Sequence, residues 1–118
     1  MKTYPIRMTA ESREQISEGN KTETRRTNLN WLKVKKGDRL RVLQSGGMLL
    51  EATADAREER LQDITESNIV DEGCPKAYLL GRNWFIPHWD SINGKKPGLA
   101  YADNPTVVVL AFRRIDHA

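Results

Sequence analysis

The run from Thr106 to Phe112 is almost unbroken in its apolar, β-branched character, and it constrains the fold more than any other stretch. A short run of this kind reads as a strand, and the lack of polar alternation means that both its faces are covered. It therefore belongs in the middle of a sheet, with other elements packed on each side. At 118 residues the chain is expected to form one domain over residues 1–118. A chain of that length buries roughly two-thirds of its unfolded surface. No apolar run reaches the ~18–20 residues of a bilayer span, and Met1-Lys2-Thr3-Tyr4-Pro5 lacks the apolar centre of a secretory leader. The lone Cys74 has no disulfide or zinc partner, which points to a reducing, cytoplasmic setting and a structural thiol.

Elements around that central strand follow from local signals. Tyr4 to Met8 reads as a short first strand, placed near an edge by Pro5. Thr9 caps a helix running to Glu18 and stopped by Gly19. Gly37-Asp38 turns into the strand Arg39–Val42, whose alternation sends Leu40 and Val42 inward and both arginines outward. Ser45-Gly46-Gly47 makes a hairpin turn. The returning strand alternates Leu50, Ala52, Ala54 and Ala56 with Glu51, Thr53, Asp55 and Arg57. Thr65-Glu66-Ser67-Asn68 starts a helix that Gly73 ends. Leu80, Trp84 and Trp89 lie close to helical spacing, but Pro87 is expected to interrupt any continuous helix there. Gly94 to Asn104 is rich in turns. Several strands with two or three short helices make an α+β fold built on a small, mixed, curled sheet or barrel.

Charge is unevenly spread. Residues 21–41 carry eight basic groups, Lys21, Arg25, Arg26, Lys33, Lys35, Lys36, Arg39 and Arg41, against Glu23 and Asp38. Residues 51–72 are predominantly acidic. The basic segment suits a phosphate backbone, and it equally suits pairing with the acidic one. Within it, Gly19-Asn20-Lys21-Thr22-Glu23-Thr24-Arg25-Arg26 has no large apolar side chain and belongs on a surface or in a polar cleft. Lys21 and Thr24 supply a base and a hydroxyl nucleophile, while Arg25 and Arg26 suit phosphate or carboxylate recognition. A solvated loop leading into an edge strand is the bland alternative. Trp31, Trp84 and Trp89 are large enough to stack on a base, though at least two are expected in the core. His88 reads as a packed aromatic neighbour and His117 as part of a frayed tail. Two distant histidines and one cysteine give no metal-ligand spacing, and no phosphate-loop or dinucleotide fingerprint is present. No metal or cofactor is expected.

These residues resemble a known family. Gly19 to Arg26 is similar to the G-x-K-T-x-T-x-R signature of ASCH (activating signal cointegrator homology) domains, and Gly37 to Val42 resembles their G-D-x-L-x-V strand. Glu59 to Glu66, with Glu72-Gly73, resembles the E-R-L-Q-D-I-T-E…E-G stretch of phage and prophage members. Trp89-Asp90-Ser91-Ile92-Asn93 and Asn104-Pro105 before a Val-rich strand are similar to those members as well. The matches keep their order from about residue 5 to residue 115.

The resemblance implies a PUA-like β-barrel and a nucleobase, nucleoside or RNA partner. Some small bacterial members are amidohydrolases that remove the acyl group from N4-acetylcytidine, with the signature Lys as base, the second Thr as nucleophile and a later Glu as proton donor. Those positions fall on Lys21, Thr24 and Glu72. A non-catalytic RNA-binding module and a ribonuclease are the alternatives, and on any of these readings Arg25, Arg26, Arg39, Arg41 and Trp84 are the candidates to bind substrate or RNA. Physical chemistry permits the hydrolase: a Thr hydroxyl needs a base beside it, and burial or nearby cations lower a lysine pKa. A structural Lys21–Glu72 ion pair is the competing account. The aromatic insert from Trp84 to Trp89 sets this chain apart from the small amidohydrolases and is placed to alter or cover the pocket.

Overall fold

Strand β6 (Thr106–Arg114) runs through the middle of a six-stranded sheet. In it Val107, Val108, Val109 and Leu110 are each no more than 2% exposed, as an unbroken apolar run requires. The computed structural model describes residues 1–116; His117 lies outside them. Along one side of β6 runs β2 (Glu23–Arg26), antiparallel, with Thr24 opposite Leu110. On the other side β4 (Leu49–Ala52) and β5 (Arg57–Arg60) pair with β6 in succession. Beyond β4 come β3 (Arg39–Val42), antiparallel to it, and then β1 (Thr3–Ile6), parallel to β3. The end strands of this curled sheet are thus β1 and β2. With its helices it forms the small α+β fold, built on a mixed curled sheet, that the sequence predicts.

The helices obey their local signals. Helix α1 (Ala10–Ser17) begins where Thr9 Oγ1 accepts the Ser12 N–H at 3.1 Å, and it ends before Gly19 at φ +80°. Its buried residue is Ile16. Helix α2 (Glu66–Asp71) starts with a reciprocal cap between Thr65 and Asn68 and is closed by Gly73 at φ +101°. Side chains alternate across β6, which therefore serves two cores. Val108, Leu110 and Phe112 pack inside the curl with Ile6, Leu40, Val42 and Leu50. Val107 packs with Leu61, Ile64, Ile69, Trp84, Phe85 and Trp89 beneath α2 and α3 (Arg82–Asn93).

Three expectations need correction. The first strand ends at Ile6, and Met8 is buried in the turn beyond it. The alternation from Leu50 to Arg57 is not one strand: β4 stops at Ala52, the chain bends, and β5 restarts at Arg57. In the bend Ala54 is exposed and Ala56 half-buried, and the Ala56 N–H is donated to Val34 O at 3.0 Å. Finally, α3 (Arg82–Asn93) continues through Pro87 without a break. A proline inside a helix costs about 3 kcal/mol through a lost hydrogen bond and a steric clash. Trp84 and Phe85 before it and Trp89 after it are all buried, and each large apolar side chain so placed contributes about 1.5–3 kcal/mol. Packing on both sides of the proline outweighs the local penalty.

Candidate functional site

The polar run leaves α1 at Gly19 and enters β2 through Lys21, which forms a single antiparallel bridge with Glu72 at the end of α2. That bridge gathers the candidate residues. Lys21, Thr24 and Glu72 all line one cavity of about 250 Å³. Arg7, Met8 and Thr9, just beyond β1, form one wall; Thr24, Arg25 and Arg26 of β2 form another. Phe85, His88, Trp89 and Ile92 of α3 close a third side. The cleft thus lies where the segment after β1 faces β2, and the aromatic insert supplies part of its lining.

A buried charge network underlies it. Lys21 Nζ donates to the Glu72 main-chain carbonyl at 3.0 Å and to Glu72 Oε1 at 3.4 Å. Arg25, with its side chain fully buried, donates to Glu72 Oε2 at 2.9 Å, to Glu23 Oε1 at 2.5 Å and to Glu59 Oε1 at 2.7 Å. One planar guanidinium thereby holds three carboxylates, a task its fixed fork of donors suits. Burial pulls the Lys21 pKa below its ordinary value; Glu72 opposes that shift, and Arg26 and Arg25 add to it. Burial pushes Glu23 above the usual carboxylate range, against the pull of Arg25.

Thr24 is buried at the cavity wall, and its hydroxyl makes no hydrogen bond among the described residues. Lys21 and Thr24 share the cavity without being bonded to each other. The ladder adds one further group. Phe112 donates its N–H to Thr22 O at 2.9 Å, which makes Thr22, Thr24 and Arg26 the residues bonded to β6. By the alternation of antiparallel pairs, the Arg25 N–H then points away from β6, toward the open edge of β2.

The remaining candidates divide. Arg26 lines the cavity, and among the described residues its side chain bonds only to Met8 Sδ, at 3.0 Å. Arg39 and Arg41 do not line it; they sit on β3, separated from β2 in the sheet by β4 and β6. Trp84 is also outside the lining. It is a buried core residue that stacks on His88 with centroids 4.5 Å apart. His88 is both packed neighbour and lining residue, with Nδ1 3.8 Å from Glu11 Oε2; burial holds its pKa below the usual value. Trp31 lines the cleft and Trp89 is buried there. Cys74 is a free thiol packed against the second core. Sequence reasoning missed Glu23 and Glu59 as partners of Arg25, and Arg7 as lining. The one signal for Glu59 was its place in the acidic segment opposite the basic one. Among the described residues no group of three or more His, Cys, Asp or Glu is arranged to hold a metal ion. No helix there is long and apolar enough to cross a membrane.

Comparison with known proteins bears on the fold. No family model matches the sequence, and no curated protein matches it. Solved structures do. An ASCH domain from Lactobacillus crispatus superposes with a TM-score of 0.73 at 15% identity, over 98% of this chain and 81% of that one. The hypothetical protein PH0355 gives 0.71 at 14% identity, covering 98% and 100% of the two chains. Protein EF3133 from Enterococcus faecalis gives 0.65 at 16%, covering 98% and 76%. The chain has the fold of the ASCH domain.

Proposed function

We propose that this chain, with its ASCH-domain fold, is an amidohydrolase that removes the acyl group from an N4-acylated cytidine. The observation that carries the reading is that Glu72, distant in the sequence, lines one cavity with Lys21 and Thr24 of the polar run. A cavity of about 250 Å³ lies just under the ~300–1,000 Å³ of small-molecule sites and suits one ring with its substituent. The substrate class comes from the resemblance to ASCH amidohydrolases.

The chemistry proceeds in two halves. Neutral Lys21 takes the proton of Thr24, and Oγ1 adds to the acyl carbonyl carbon. The Arg25 N–H, turned out from the ladder beside the nucleophile, donates to the oxyanion. The tetrahedral adduct then collapses, the bond to N4 breaks, and the acyl group stays on Thr24 as an ester. The proton gained by Lys21 passes through Glu72, 3.4 Å away, to the departing N4, which leaves as the cytosine amine. Water, deprotonated by Lys21, cleaves the ester, releasing the carboxylic acid and restoring the hydroxyl. Apo geometry with base and nucleophile unbonded is common before substrate draws them together. The test is acetate and cytidine release from N4-acetylcytidine: wild-type protein turns it over and Thr24→Val, which keeps the shape without the hydroxyl, does not. Inert wild-type protein, or an active Thr24→Val variant, overturns the proposal.

A non-catalytic RNA-binding module is the second reading. Lys33, Lys35, Lys36 and Arg41 are exposed and, with Arg39, make no ion pair among the described residues. On that reading affinity for single-stranded RNA falls steeply with salt, and reversing Lys33, Lys35 and Lys36 to glutamate abolishes it. Unchanged affinity in the triple variant removes this surface as the binding site.

A further inference from the structure

The two adjacent arginines of β2 are in opposite situations. Arg25 spends its guanidinium on Glu23, Glu59 and Glu72. Arg26, the next residue, is half-buried in the cavity wall and has no carboxylate within ion-pair distance among the described residues. Among the described residues its one side-chain hydrogen bond goes to the thioether of Met8, a weak acceptor. A guanidinium carries five N–H donors and stays charged, so this half-buried one, bonded among the described residues to a sulfur, keeps donors open to the cleft. Such a cation in a cleft is matched by an anion that arrives with the ligand. Arg7 lines the same cavity from the other side of the gap, exposed and with no ion pair among the described residues.

Position along the strand indicates what the anion is attached to. Thr24 and Arg26 are two apart on β2, so both point to the same face, roughly 6–7 Å apart along the strand. Lys21 and Glu72 lie at the other end of that line, before Thr24. On a cytosine the N4 amine and the ribose-bearing N1 are para across the ring. A base whose N4 meets Thr24 therefore carries its ribose away from the acyl group. With the acyl group toward Lys21 and Glu72, the sugar runs along β2 toward Arg26 and Asn28, which also lines the cavity. Burial holds the Arg26 pKa below its ordinary value, against the opposing effect of Glu72, which is the direction expected of a guanidinium lacking a close counter-charge.

We propose that Arg26, assisted by Arg7, is a phosphate-binding subsite, and that the cleft takes phosphorylated cytidines in preference to the free nucleoside. This rests on the nucleobase-cleft reading above but needs no turnover. Its test is equilibrium binding of unmodified cytidine and cytidine 5′-monophosphate, measured by calorimetry at low salt on the full chain. The monophosphate should bind about tenfold or more tightly than cytidine, the worth of one charge-assisted hydrogen bond. The ratio should shrink as salt rises and fall near one in Arg26→Met, whose melting temperature checks the fold. Arg26→Lys should keep part of it. A short cytidine-containing RNA separates the sources of phosphate: tighter binding than the monophosphate assigns the subsite to a phosphodiester, and equal or weaker binding assigns it to a terminal phosphate. Equal affinity for cytidine and its monophosphate, a ratio unmoved in Arg26→Met, or no binding of either probe overturns the subsite. Loss of acetate release with the affinity ratio intact would count against the hydrolase alone.

Discussion

Lys21 touches Glu72 twice, at the main-chain carbonyl 3.0 Å away and at the carboxylate 3.4 Å away. The first contact fixes the amine at the end of α2, and the second ties it to a group that can carry a proton. An ion pair serving structure alone and a proton relay would both use this geometry. The two accounts differ in how substitutions combine.

If Lys21, Thr24 and Glu72 act as one unit, their losses should not add. Lys21→Met and Thr24→Val should each remove nearly all acetate release from N4-acetylcytidine, and the double variant should be scarcely slower than either. Glu72→Gln should be milder, because water can protonate the leaving amine. Initial rates for the singles and the double measure this. Additive losses would mean that the residues act separately.

The pH profile should carry the Lys21 signature. A general base works when deprotonated, so kcat/KM should rise with pH through the Lys21 pKa. Burial holds that pKa below the ordinary 10.5, so the rise should be centred below that value. Lys21→Arg, charged at every accessible pH, should abolish both the activity and the rising limb. A rise centred at or above 10.5 would rule out a desolvated base.

Removing Arg25 should be costly to the fold. Arg25→Met leaves Glu23, Glu59 and Glu72 buried or half-buried around a neutral side chain. Breaking a buried ion pair on one side typically costs about 3–5 kcal/mol. Urea denaturation should show a loss of that order at neutral pH. The loss should be smaller at pH 4, because burial pushes Glu23 above the usual carboxylate range and protonation there removes a buried charge. Arg25→Lys should rescue little of it, since an ammonium lacks the fork.

Gly73 should be intolerant of any side chain. At φ +101° a Cβ is strained, and here it would stand 3.3 Å from both Gln15 Cβ and Lys21 Cβ. Gly73→Ala should lower stability by about 1–3 kcal/mol and reduce turnover by displacing Lys21. Thermal melts and acetate release check the two effects. Full activity in the variant would show that the Lys21 position is not critical.

Signals confined to a few neighbouring residues were legible in the sequence. Thr9 and Gly19 bound α1, Thr65 and Gly73 bound α2, and Thr106 to Phe112 lies within the buried central strand. Pro87 misled because its local penalty is offset by Trp84, Phe85 and Trp89, whose burial depends on α3 docking over Val107. The break after Ala52 was hidden because its alternation continues into the bend. At the site, the signature run did supply cavity residues. That Arg25 turns to Glu59 and Glu72 while Arg26 does not depends on which face of β2 meets α2 and β5, 31 or more residues away in the chain. Arg39 and Arg41 share the charge of the segment but not its location.

The curled sheet begins at β1 and ends at β2, and among the described residues these strands share no backbone ladder. The walls of the cleft that meet at this gap are held by side chains, such as Arg26 on Met8 and His88 beside Glu11. Each such contact is worth little beside a row of main-chain hydrogen bonds. A ligand bulkier than the resting cavity can part those walls while every strand pairing of the sheet stays intact. The mouth can thus widen without breaking a strand pairing.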